Sequence, residues 1–416
     1  MNTYGLRLLR QPSVQATVLV VVTTLVLLVR ALQFALLTQK IQWGYDFSAY
    51  WSAAGNLLHG LSPYSAAQLA GPYGPQQQYL YLYPPPVAAA VTPFAELFST
   101  DYRAAAWIWL GLGLIMLIGS VLALWRSERL GERFSILAGR RRWLLVAGAL
   151  AFPPVVGELV LGNVHLLLLA LLTVSWLGVR RGTAKGEWAA GAAIGVATVI
   201  KVFPGLLVLW FLLTRRWRAA AGAAVGAAIF AVITLPVTGS QPWLDFPRVL
   251  ANLSAPTDVT DTLAPTVWLA PFVGFMAARV LVTVAALVLL WAVASRARAR
   301  VVGGHAGGGR VEDGTLARSF AAAVVLSVLI APAIYQHYLA LLVLPLILAL
   351  TAGVPIRWVA IAYLLMWGGE QDALGDYAWI VNRLMPTAGA IVLLASLVIT
   401  GRHRTLPQPH RSAAPA

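Results

Sequence analysis

Residues 189–218 read AAGAAIGVATVIKVFPGLLVLWFLLTRRWR. Two short apolar runs, 189–200 and 203–214, are split by Lys201 and Pro204, and a basic cluster (Arg215, Arg216, Arg218) closes the stretch. Read as one helix, it would carry that cluster to the opposite side of a bilayer from the chain's other basic loops. Read as two half-length helices that turn back at Lys201, it leaves all the basic loops on one side, as the positive-inside rule requires. The second reading is the one we adopt. The backbone freed at such a break must be covered by protein or line a watery cavity, because lipid offers it no hydrogen bonds.

The composition agrees. Of 416 residues, 59% are hydrophobic and 11% are charged, which excludes an ordinary soluble domain. Apolar segments are expected at 17–37, 104–125, 144–161, 164–179, 189–200, 203–214, 219–237, 266–294, 318–333, 337–352, 358–369 and 384–400. This predicts an all-α polytopic protein with about 12 membrane segments, several too short to span upright alone. Residues 38–103 are expected to form a large outer loop, in which Tyr83-Pro84-Pro85-Pro86 opens a short apolar piece to Phe98. The Gly303–Gly309 run reads as a flexible linker, and 401–416 as a short cytoplasmic tail. The whole chain, 1–416, reads as one membrane domain.

The net charge of +15 is explained by inner loops and calls for no nucleic acid. Those loops hold Arg7, Arg10, six Arg between 126 and 142, and Arg180, Arg181 and Lys185. They continue through the Arg215 cluster to Arg357 and the arginines of the tail. The outer pieces carry Lys40, Arg103, Lys201, Arg248 and Arg383. Both termini are therefore expected in the cytoplasm of a plasma-membrane protein. The N-terminal apolar run is too long for a signal peptide and reads as a retained helix. The absence of cysteine removes disulfides and thiolate ligands. Ten of the fifteen acids fall on or near the outer side, so any chemistry is expected there.

On that side YDFSAYWSAAGNLLHGLSPY, residues 45–64, brings Asp46 beside Tyr50 and Trp51 at the mouth of the first segment. Asp46 is either a helix N-cap or a functional carboxylate. Lys201 is either a snorkelling cation or a phosphate ligand. Asn163, His165 and His337 sit at breaks on the same side, and Glu158 lies close to them in the chain. Each has the alternative of a satisfied core residue. Tyr50, Trp51 and Tyr83 suit either an interfacial aromatic belt or sugar rings. Arg30 and Arg279 lie inside spans and read as structural. Asp372 and Asp376 carry no metal assignment, since two loop carboxylates four apart are common.

The blocks DFSAYWSAAGNLLHGLSPY, YPPP, GNVHLLLLAL, KVFPGLLVLWFLLTRRWR and PAIYQHYLALLVLPL resemble glycosyltransferase family 87, in its order, over roughly residues 40 to 350. The resemblance implies a GT-C fold and transfer from a polyprenyl-phosphate sugar, mannosyl or arabinofuranosyl, to a lipid- or glycan-linked acceptor hydroxyl. It implies inversion outside the cytoplasm with Asp46 as general base. Lys201, His337, His165 and Asn163 would face the donor, and Tyr50, Trp51, Tyr83 and Glu158 the acceptor vestibule. No metal and no cofactor is expected. The chain departs from the family pattern at Asn163, His165 and Tyr335. A transporter or lipid flippase built on broken helices is the alternative from another class; a non-catalytic envelope scaffold is a third.

Overall fold

The computed structural model describes residues 12–39, 43–71, 79–99, 101–253, 262–303, 311–368 and 380–399. The Gly304–Gly309 part of the linker, the acids Glu370, Asp372 and Asp376, and both chain ends lie outside them.

Among the described residues every regular element is helical. A first helix, α1 (Pro12–Leu37), leads into α2 (Tyr45–Leu58), α3 (Pro85–Leu97) and α4 (Tyr102–Ser127). The middle of the chain holds α5 (Trp143–Ala151), α6 (Pro153–Leu161), α7 (His165–Arg181), α8 (Ala184–Ile200), α9 (Leu206–Leu213) and α10 (Trp217–Thr238). The last third holds α11 (Gln241–Leu253), α12 (Pro265–Val273), α13 (Phe275–Gly303), α14 (Val311–Leu329), α15 (Val343–Thr351), α16 (Ile356–Leu365) and α17 (Met385–Ile399).

Five described helices are long and apolar enough to cross a membrane, and a sixth span arises if a bent pair is counted as one. The expected twelve are not reached on that measure, because the remaining apolar helices are short. The bend is one that the sequence reading missed. Residues 144–161 looked like a single run, yet the helix breaks at Phe152–Pro153 and turns by 65°. Proline cannot donate the next helical hydrogen bond, so carbonyls before it are freed. One of these, on Ala151, accepts from Arg30 Nε at 3.2 Å. Arg30 also lies 4.9 Å from the Trp367 ring centroid. Among the described residues the arginine of α1 pairs with no acid; its partners are the Ala151 carbonyl, Gln33 and the Trp367 ring. Arg279 lines a shallow apolar groove with Met276 and Val280.

The supposed loop 38–103 needs correcting too. Its α2 and α3 are folded helices packed against each other, and α3 packs on α10. Phe47, Tyr50, Ala54 and Leu57 are buried along one face of α2, and Val87, Ala88 and Val91 on α3. The breaks at Gly162 and Lys201 appear as read: α6 ends at Leu161, and α8 ends at Ile200, followed by a tight turn over Phe203–Gly205. Helices α8 and α10 pack backbone to backbone. A Cβ on Gly191 would lie 1.9 Å from the Ala219 carbonyl oxygen, so only small residues fit this seam.

Candidate active site

The first-turn residues of α2 are held against the α6–α7 turn by main-chain groups. Gly44 N–H donates to the Val160 carbonyl at 2.7 Å, and Trp109 Nε1 donates to the Gly162 carbonyl at 2.9 Å. Gly162 takes φ +67°, and a Cβ there would stand 2.9 Å from Phe47 Cβ. Glycine at this turn therefore lets α2 approach closely and delivers Asn163 to Asp46.

Asn163 is the hub. Its Nδ2 donates to Asp46 Oδ2 at 2.8 Å and lies 2.9 Å from Tyr83 Oη and 3.3 Å from His337 Nε2. Its Oδ1 accepts from Val164 N–H at 2.7 Å. His337 Nε2 stands 4.0 Å from Asp46 Oδ2. Tyr83 Oη in turn accepts from Lys201 Nζ at 3.2 Å. An acidic pole and a cationic pole are thereby joined through one amide and one phenol.

The Asp46 side chain keeps 20% exposure, so it is only partly enclosed. Burial of the rest pushes its pKa above the ordinary carboxylate range, while the Asn163 hydrogen bond and the Lys201 charge pull it back. No side-chain cap bond is made at the start of α2. Capping of that helix therefore does not account for Asp46.

Lys201 lies at the end of α8 with extended backbone. Its Nζ is 3.0 Å from His165 Nε2 and 3.8 Å from the Tyr338 ring centroid. Tyr338 carried no expectation from sequence, and its place beside His337 is the only hint there was. Among the described residues no carboxylate lies within 4.0 Å of the Lys201 ammonium.

Glu158 and His165 both lie in the cluster, away from its surface. Both are fully buried, at 1% and 0% exposure, and bind each other, so neither shows a face to a vestibule or a donor sugar. Tyr50 is also fully buried and packs edge-on against Tyr83, 4.9 Å between centroids. Trp51 turns onto Phe47 and Tyr102. These two support the site rather than line it.

Ligand atoms of Glu158, His165 and His337 lie within 4.8 Å of one another. The carboxylate is already engaged by His165, and the second nitrogen of that ring faces an ammonium. A metal ion would meet like charge there.

A half-buried acid and a half-buried cation, joined at the interrupted ends of membrane helices, define a multi-helix membrane protein with a polar site cut into it. The chain belongs to glycosyltransferase family 87, whose model matches residues 81–311. Similar curated proteins include an alpha-(1->3)-arabinofuranosyltransferase of Mycobacterium tuberculosis, 29% identical over 180 residues, 43% of this chain and 39% of the relative. A polyprenol-phosphate-mannose-dependent alpha-(1-2)-phosphatidylinositol mannoside mannosyltransferase of the same species is 30% identical over 165 residues, 37% of this chain and 36% of the relative. A polyprenol-phosphate-mannose-dependent alpha-(1-2)-phosphatidylinositol pentamannoside mannosyltransferase of Mycolicibacterium smegmatis is 29% identical over 177 residues, 40% of this chain and 38% of the relative. The matches span about two fifths of these relatives' length.

Proposed function

We propose that the chain, as one membrane domain over residues 1–416, transfers a hexosyl group, mannosyl in our reading, from a polyprenyl-phosphate sugar to a hydroxyl of a lipid- or glycan-linked acceptor. The carrying observation is the bridged pair of poles: Asp46, partly exposed, at one end and Lys201, without a carboxylate partner among the described residues, at the other. The acceptor O–H gives its proton to the Asp46 carboxylate as its oxygen attacks the anomeric carbon. The bond from that carbon to the phosphate oxygen breaks, and the electron pair leaves with the polyprenyl phosphate. The added negative charge falls beside Lys201 and His337. Direct displacement inverts the anomeric centre. No metal or cofactor enters this scheme. The activities of the mannosyltransferase relatives support the lipid-linked donor and a lipid-linked acceptor.

The distribution of basic residues supports a site on the extracytoplasmic face of the plasma membrane, with both termini inside. Since the chain has no cysteine, Arg248→Cys is expected to react with an impermeant thiol reagent in intact cells and Arg141→Cys is not. Reaction at Arg141→Cys would invert the assignment. The activity itself is tested by giving purified protein radiolabelled polyprenyl-phosphate mannose and a membrane lipid extract. Label should pass to an acceptor lipid or glycan. Transfer from the arabinofuranosyl donor instead would move the sugar assignment to the other branch of the relatives; transfer from neither would overturn the reading.

A further inference from the structure

Glu158 and His165 are the most deeply buried ionisable residues of the cluster, yet the transfer step asks nothing of them. Burying two such groups is unfavourable unless they satisfy each other or hold something else in place.

Glu158 uses both oxygens on His165. Oε1 accepts the backbone N–H at 2.5 Å, and Oε2 lies 2.8 Å from Nδ1. An ionised carboxylate only accepts, so the ring proton sits on Nδ1. In the neutral ring Nε2 then carries a lone pair, and that nitrogen faces Lys201 Nζ at 3.0 Å. An ammonium only donates. One of its three N–H groups is thus fixed by His165, and Tyr83 Oη accepts a second. The Tyr338 ring closes another side of the nitrogen.

We infer that Glu158 and His165 are positioning residues for Lys201: a buried carboxylate–imidazole pair that sets one tautomer and aims the ammonium at the donor phosphate. The inference rests on the donor-phosphate role proposed for Lys201. It explains why a cation with no carboxylate partner among the described residues is nonetheless held still: its counter-charge arrives with the substrate. The same logic orients ligands from behind at metal sites, where the outer hydrogen bond sets which ring nitrogen is free.

Glu158→Gln tests it with little change in size. The amide oxygen still accepts from the backbone N–H. The amide nitrogen, however, now donates toward Nδ1 and drives the ring proton to Nε2. Two donors then oppose each other across 3.0 Å and Lys201 turns away. Binding of polyprenyl phosphate alone and transfer kinetics would both be measured on purified protein. Expected are a rise of about tenfold in the Kd of polyprenyl phosphate, the worth of one well-made hydrogen bond, and a fall of at least that size in kcat/KM, since the same ammonium meets the charge that develops on the leaving phosphate. In a Lys201→Met background Glu158→Gln should add nothing further, because the two changes act through one contact.

Equal losses in both backgrounds would overturn the positioning role while leaving the Lys201 reading intact. Unchanged polyprenyl-phosphate binding in Lys201→Met alone would remove the Lys201 reading, and this inference with it. Should Glu158→Gln fail to fold, the pair His165→Gln and His165→Leu replaces it. Gln keeps an acceptor for Lys201 and a donor for Glu158, so it should retain markedly more polyprenyl-phosphate affinity than Leu. Equal affinity of the two would sink the idea.

Discussion

Two carboxylates at opposite ends of α4, one buried and one partly exposed, have opposite lives. Glu128, at the end of α4, accepts from Arg180 Nη1 at 2.6 Å and from Trp176 Nε1 at 2.9 Å. Arg180 also donates to the Ser127 carbonyl at 2.5 Å. The acid is neutralised by a guanidinium and held by an indole on the same oxygen, and it ties α4 to α7. Asp46 has one amide donor, a histidine at 4.0 Å and 20% side-chain exposure. The same functional group is closed where it holds helices together and left incomplete where a substrate is to be met. Saturation by strong donors is what separates a structural charge from a reactive one.

The comparison breaks most sharply at Asp46. Asp46→Asn keeps size and the contact with Asn163, yet transfer should fall by about a hundred- to ten-thousandfold, with the protein still folded. Activity within a few-fold of the unmodified protein would make Asp46 as structural as Glu128. The reverse is expected at Glu128. Glu128→Ala strands Arg180 and should cost about 3 kcal/mol of stability, read as a lowered unfolding midpoint. Activity per folded molecule should stay near normal. A smaller effect belongs to the turn between the poles. Gly162→Ala forces a side chain into φ +67° against Phe47, costing about 1–2 kcal/mol, and should depress transfer by moving Asn163 from Asp46.

The finest test is pH. A base must be deprotonated to act. Because burial raises the Asp46 pKa, the acidic fall in kcat/KM should begin at higher pH than for a solvent-exposed aspartate. The same shift means that folding is favoured below the raised folded-state pKa by a neutral Asp46, and that this contribution is lost as pH rises through it. An acidic limb at the ordinary aspartate value would remove the buried base.

Much of this was legible in the chain. Lys201 before Pro204 and Gly162-Asn163 both announce breaks, and both are breaks. Asp46 stood out because it opens an aromatic, small-residue stretch after a span. The helical face Phe47, Tyr50, Ala54 and Leu57 was legible too, at intervals of three and four, but turn signals in the flanking sequence drew the segment toward a loop. The bend at Pro153 was hidden because apolar composition runs unbroken across it. That Tyr83 would link Asn163 to Lys201, or that Glu158 would be consumed by His165, is a matter of tertiary packing between segments far apart in sequence. No local pattern encodes it. Polar residue type alone suggested substrate contacts for Glu158, and burial corrected this.

Arg30 and its carbonyl bear on how the protein is assembled. Helix α1 is made well before Ala151, the residue whose carbonyl it binds. None of the apolar window of α1 is buried in the finished fold. It can therefore rest in lipid during synthesis with no surface waiting to be covered, its Arg30 Nη1 held within the helix by Gln33 Oε1 at 2.6 Å. The bond from Nε has to wait: it closes onto a carbonyl that is free only once a later helix has broken.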